Sequence, residues 1–362
     1  MSNLFNPLQI NKMSIKNRFI RSATVDNLGE NKVVTEAQLD FYRELVRGEV
    51  GLIISSGLFP SLDGWAAPGQ LGIHADEMIP SLKKIVGAIH DNGGKIVAQL
   101  MHAGWFGNPD LCGFQTVGPS ETINPANNLK VRELSSDEIE EKIDEFVRAG
   151  ARAAEAGFDG VQIHAAHGWL VSAFLSPVTN RRKDKWGGTA QKRANFVIKI
   201  TEGLRKVTGP DYPILIKLGI KDYHSEGKSA DEGINSAKLF IDAGLDAIEV
   251  SEGVEEIPFN HIRAGEMSPY YVDECKKAKK VISKPVILVG GMRYLSEMET
   301  VVDDGTADAI SMCRPFIMDQ HIVRKFREGS SDRSQCTSCN NCIPTMLERN
   351  LHCTFNSQLI NF

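Results

Sequence analysis

Eight short, β-rich apolar runs recur along the chain, and each is followed by a longer stretch of helical periodicity. The runs cover residues 17–23, 51–56, 95–100, 160–164, 213–219, 247–251, 285–289 and 309–312. Before the fourth run, Ile139, Ile143, Phe146, Val147, Ala151 and Ala154 fall on one face of a 3.6-residue repeat. Ser135 with Glu138, and Ser296 with Glu299, have the spacing of capping boxes that open helices. Gly157, Gly244 and Gly305 stand where helices end ahead of the next run. Strand and helix alternating eight times predicts an α/β chain folded as a (β/α)8 TIM barrel. An open doubly wound sheet is the competing fold, but no G-x-G-x-x-G turn follows the first run.

The 362 residues suffice for one large domain or two ordinary ones, and no Pro/Gly/Ser-rich linker divides them. The expected division is a barrel over 1–330 and a short cysteine-rich extension over 331–362, packed on the barrel. A net charge of −5 leaves no electrostatic footprint for nucleic acid or an anionic membrane. No run approaches the ~18 apolar residues of a membrane span. The first residues lack the apolar centre of a signal peptide, so a cytoplasmic protein is expected. Four of the seven cysteines (Cys336, Cys339, Cys342 and Cys353) bunch near the C-terminus, which points to metal or redox chemistry rather than a disulfide framework.

Barrel geometry makes polar groups at the strand ends converge. Gln99 belongs to the third run, His164 and His167 to the fourth, and Lys217 to the fifth. Gly290, Gly291 and Arg293 follow the seventh, and Arg314 follows the eighth. A glycine pair there with Arg314 suits a phosphate, though a tight turn without a ligand reads equally well. Lys217 points opposite to its neighbours Ile216 and Leu218, and a desolvated ammonium asks for a negatively charged ligand in the mouth. Two long insertions, 104–135 and 168–188, lie on the same face.

Residues 164–188 read H-x-A-H-G-W-L-x-x-x-F-L-S-P-x-x-N-x-R-x-D-x-x-G-G. With Asn17-Arg18-Phe19, Gln99-Leu100-x-His102-Ala103-Gly104 and Gly290-Gly291, this segment resembles the old yellow enzyme family. Those are FMN-dependent ene-reductases and NAD(P)H:flavin oxidoreductases, and the resemblance covers residues 3–328. It implies FMN as cofactor and NAD(P)H as hydride source, with a small-molecule acceptor such as an electron-poor alkene. It further implies that Ala23 and Thr24 meet the isoalloxazine through the backbone, and that Gly57 and Gln99 meet its pyrimidine edge. Lys217 would stand near N1 and O2, and Gly290, Gly291, Cys313 and Arg314 at the phosphate. His164 and His167 would form a clamp on the acceptor's oxygen as hydride leaves flavin N5. Trp169 completes the implied catalytic group, at the position of a proton-donating tyrosine. An indole N–H is no useful general acid, so Trp169 is expected to shape the mouth. Proton delivery is left to solvent, Tyr223 or His261. Val25 stands where relatives often carry a residue that can hydrogen-bond the flavin, which implies a different redox potential. A homo-oligomer is expected.

The spacing C336-x2-C339-x2-C342…C353 resembles the four-iron four-sulfur motif of trimethylamine dehydrogenase and dienoyl-CoA reductase, although four thiolates so spaced can also hold zinc. Those larger relatives carry further flavin and nicotinamide domains. The chain stops soon after Cys353, so an external electron-transfer partner is expected. The alternative function is accordingly a dehydrogenase that oxidises a small substrate and passes electrons out through the cluster.

Overall fold

The computed structural model describes residues 2–125, 127–257, 259 and 262–355. Eight parallel strands close into a barrel in chain order: β1 (Phe19–Arg21), β2 (Leu52–Ile54), β3 (Ile96–Leu100), β4 (Gly160–Ala165), β5 (Ile214–Tyr223), β6 (Ala247–Glu255), β7 (Val286–Val289) and β8 (Ala309–Met312). The helices α1 (Glu36–Arg47), α2 (Ile79–His90), α3 (Ser136–Ala156), α4 (Ala190–Thr208), α5 (Ala230–Asp242), α6 (Val272–Lys279), α7 (Leu295–Asp303) and α8 (Ile322–Arg327) follow the strands in turn. This is the (β/α)8 barrel that the alternation predicts.

The first strand is shorter than its apolar run. Asn17 spends its side chain on a turn, accepting from the Phe19 N–H at 3.1 Å and donating to Glu49 O at 2.8 Å. The Ser135–Glu138 capping box forms in both directions, and the left-handed Gly157 (φ 92°) ends α3. The box expected at Ser296 does not form. Helix α7 begins at Leu295, whose N–H donates to Asp332 O at 2.8 Å, so the C-terminal extension supplies the cap.

Inside the barrel the side chains change character with height. Ile20, Leu52, Ile54, Val97, Leu215, Ala247, Ile287 and Ala309 make an apolar layer, closed by Ile10, Met13 and Ile15 of an N-terminal hairpin. Side chains alternate across a strand, so residues two further along point to the same interior. Five of those are Ser22, Gln99, Lys217, Glu249 and Ser311, and all are buried. The barrel is thus oily at its base and polar toward the C-terminal ends of its strands. The insertion after β3 folds a small sheet from Val117–Gly118, Thr122–Ile123 and Lys130–Glu133; the one after β4 holds a short helix, Leu170–Leu175.

Residues 331–355 lie against the barrel. Arg293 donates to Cys336 O at 2.7 Å, Asn27 Nδ2 to Met346 O at 3.1 Å, and Arg349 to Gly29 O at 2.6 Å. No helix among the described residues is long and apolar enough to cross a membrane.

Candidate functional site

Lys217 on β5 stands in register with His164 on β4 and with Glu249 on β6, which places three ionisable groups side by side on the barrel's inner wall. Its Nζ donates to Ser22 Oγ at 2.8 Å and pairs with Glu249 Oε1 at 3.1 Å. Glu249 accepts from Ser22 Oγ at 2.7 Å, Ser311 Oγ at 2.8 Å and Gln162 Nε2 at 2.9 Å. Gln162 in turn accepts from Gln99 Nε2 at 2.7 Å. One continuous network therefore crosses the barrel from Gln99 to Ser22. Burial by itself would raise the Glu249 carboxyl. The Lys217 ammonium and the hydrogen bonds from Ser22, Ser311 and Gln162 outweigh that, and hold it below the ordinary glutamate value.

The two histidines leave β4 together. His164 is 5% exposed, and its Nδ1 accepts from the Ala166 N–H at 3.4 Å. The His167 ring stands perpendicular to it, with centroids 5.3 Å apart. His167 adopts a left-handed backbone (φ 61°), uncommon for a residue with a Cβ. That turn is fixed by its N–H donating to Glu252 O at 2.8 Å, while its Nε2 lies 2.7 Å from Ser251 Oγ. Trp169 lies 6.3 Å from the His164 ring and meets Phe106 edge-on at 5.3 Å, so it forms a wall of the mouth. The Tyr223 hydroxyl accepts from Arg263 Nη2 at 3.1 Å. His261, the other residue expected as a proton source, lies outside the described residues.

The residues expected around a flavin cluster at the same end. Thr24 Oγ1 lies 3.0 Å from Cys313 Sγ, which joins the residues after β1 to those after β8. A Cβ on Gly57 would lie 3.4 Å from Gln99 Oε1 and 2.9 Å from Met101 Sδ, so the chain here runs close beside that amide. Gly290 and Gly291 are both left-handed, at φ 92° and 77°. A Cβ on Gly291 would fall 1.7 Å from Ser268 O, so packing against the segment after β6 already requires glycine there. Arg314 reaches Asn340 Oδ1 at 2.6 Å and Tyr270 Oη at 3.0 Å. Arg293, which follows the glycine pair, is 3% exposed and donates to Cys336 O and to Ser338 Oγ, at 2.7 and 2.5 Å, so it anchors the extension.

Cys336, Cys339, Cys342 and Cys353 line one cavity of about 290 Å³, with Arg314 and Asn340 in its wall. Among the described residues, no three of these sulfurs lie within 4.8 Å of one another. Burial pushes the Cys342 thiol up to about 12, with the Cys313 and Cys336 thiols adding to the effect. The trio Asp63, His102 and Glu145 does come within 4.8 Å, but the Lys142 ammonium sits 2.7 Å from Asp63 and neutralises it.

Ser22, Gln162, Glu249, Ser251 and Ser311 were not among the residues expected at the site. A signal for Glu249 was present: it is flanked by Ile248 and Val250, as Lys217 is by Ile216 and Leu218.

Residues 3–333 match the sequence profile of the NADH:flavin oxidoreductase / NADH oxidase family. An NADH oxidase of Thermoanaerobacter brockii is 34% identical over 364 residues, covering 98% of this chain and 56% of that protein. A 2-naphthoyl-CoA reductase in complex with 2-naphthoyl-CoA superposes with a TM-score of 0.90 at 30% identity, over 96% of this chain and 56% of its own. The old yellow enzyme homologue from Zymomonas mobilis superposes at 0.78 with 27% identity, over 93% and 96% of the two chains. This chain spans 56% of the length of that NADH oxidase and 51% of that of a metal reductase of Desulforamulus reducens, about half of each.

Proposed function

We propose that this chain, which belongs to the NADH:flavin oxidoreductase / NADH oxidase family, the old yellow enzyme family, is an FMN-dependent oxidoreductase that passes hydride from NAD(P)H to an electron-poor alkene or similar acceptor. The observation that carries this reading is the placing of His164, Lys217 and Glu249 as register neighbours at the mouth, beside the perpendicular His167. The side chains present suit the cofactor. An ammonium has three N–H donors, and the Ser22 and Glu249 bonds account for two of the three on Lys217. Gln99 Oε1 lies beside Gly57, 3.4 Å from where a Cβ would stand.

When bound, FMN supplies two-electron hydride exchange at N5. Lys217 would hold the pyrimidine edge and favour the negative charge that reduction places there. Gln99, Gly57, Ala23 and Thr24 would orient the ring, and Gly290, Gly291, Cys313 and Arg314 would hold the phosphate. His164 and His167 would donate N–H groups to the acceptor's oxygen, drawing charge away from the carbon that receives hydride. Trp169 and Phe106 would exclude water from that face. The proton at the neighbouring carbon would come from solvent or from Tyr223.

Gentle anaerobic purification followed by heat release tests this directly. One FMN per chain, and NAD(P)H consumption stimulated by a cyclic enone, are expected. Recovery of a dinucleotide flavin, or no flavin after reconstitution, would overturn the reading.

The four cysteines around one cavity favour a second reading, in which a small substrate is oxidised and electrons leave through a four-iron four-sulfur cluster to a partner. Cys339→Ser would then spare NAD(P)H-driven alkene reduction and depress transfer to a one-electron acceptor such as a viologen. Equal activity in both assays would dismiss it.

A further inference from the structure

Glu249 has no part in the chemistry described above, yet it is a fully buried carboxylate at the centre of the barrel's polar layer. Three different strands or strand ends aim donors at it: Ser22 after β1, Gln162 on β4 and Ser311 on β8, besides Lys217 on β5. Removing a carboxylate from water costs several kcal/mol unless it is paired and hydrogen-bonded, and this one is both. A charge so thoroughly provided for is held in its ionised form.

Resting on the flavin reading, we propose that Glu249 is the counter-ion that sets the reducing power of the bound flavin, by neutralising Lys217. A lone ammonium beside the pyrimidine edge would stabilise the anionic reduced ring fully and make it a poorer hydride donor. Paired with Glu249 at 3.1 Å, Lys217 presents a dipole, and its pull on the reduced ring falls. Glu249 is thus a positioning residue, acting on the cofactor only through Lys217. Ser22 links the pair to the flavin-facing loop, because its hydroxyl accepts from Lys217 while donating to Glu249, and Ala23 follows it directly.

The test is a charge cycle on the FMN-loaded protein, read by equilibrating the flavin against a reference dye under anaerobic conditions. Glu249→Gln should favour the reduced flavin at least tenfold, a rise of about 30 mV in the two-electron midpoint. Lys217→Gln should shift it the opposite way, and adding Glu249→Gln to Lys217→Gln should move the midpoint little further. Should Glu249→Gln fail to fold, Glu249→Asp withdraws the carboxylate by one methylene and should move the midpoint in the same direction by less. An unchanged midpoint in a flavin-loaded Glu249 variant, or a Glu249→Gln shift as large in the Lys217→Gln background as in wild type, would overturn the inference alone. A wild-type chain that takes up no FMN would overturn the functional reading and this inference with it.

Discussion

Nη1 of Arg314 lies 2.6 Å from Oδ1 of Asn340, so the residue that follows β8 also grips the turn between the second and third clustered cysteines. Asn340 is left-handed (φ 66°), as is Ser338 (φ 59°), so the cysteine loop is held in a shape that side chains rarely adopt unaided. A hydrogen bond to a charged group contributes roughly 1.5–3 kcal/mol. Asn340→Ala should therefore loosen residues 331–355 while leaving the barrel intact. Limited proteolysis read by mass spectrometry should find cleavage within that segment rising several-fold, with the urea midpoint of the barrel unchanged.

The clamp makes a sharper demand. His164→Ala combined with His167→Ala should keep the flavin yet bind a phenolate poorly, because both N–H donors to an anionic oxygen are gone. Loss of one such donor costs about 3 kcal/mol in the transition state, or roughly 100-fold in rate. Flavin content and anaerobic single-turnover rates check this. An unchanged rate would remove the pair from the mechanism.

Ser251 touches the clamp through His167, whose Nε2 lies 2.7 Å from its hydroxyl. Ser251→Ala should free that ring without removing it. We expect a smaller loss, about tenfold, falling on kcat more than on flavin affinity, as befits one misaligned donor in a transition-state contact. Ser251→Thr, which keeps a hydroxyl, should restore most of the rate.

Acid sensitivity should appear at the start of α3. Hydrogen bonds from Arg132, then from the Ser135 backbone, hold the Glu138 carboxyl down at about 2. Because the folded value lies below the unfolded one (~4.3), the stabilisation is present above about pH 4.3 and is lost as pH falls toward 2. Glu138→Gln should flatten the decline in urea midpoint between pH 5 and pH 3 and lower the midpoint at pH 7. The pair is partly exposed, so the effect should be modest and should shrink in high salt.

The histidine pair, Gln99 and Lys217 were legible because each is a polar interruption at the end of an apolar run, where a barrel collects its chemistry. Glu249 and Ser311 carry the same parity as Ala247 and Ala309, but nothing local marks an inward carboxylate as paired. Its partners Ser22, Gln162 and Ser311 lie 62 to 227 residues away. The role of Arg293 was hidden for the same reason, because its partner Cys336 O arrives only with the return of the chain some 43 residues later.

Period and spacing, which are local properties, determined the eight strands, the capping box at Ser135 and the bunching of four cysteines. Tertiary structure alone decided which charge meets which. Ser296 lost its cap because Asp332 O arrived at Leu295, Lys217 became half of an ion pair because Glu249 faces it across a strand boundary, and the cysteines came to share one cavity. The physical reason is that hydrophobic periodicity is additive along a chain, whereas the state of a buried charge depends on every group the fold brings within a few ångströms of it.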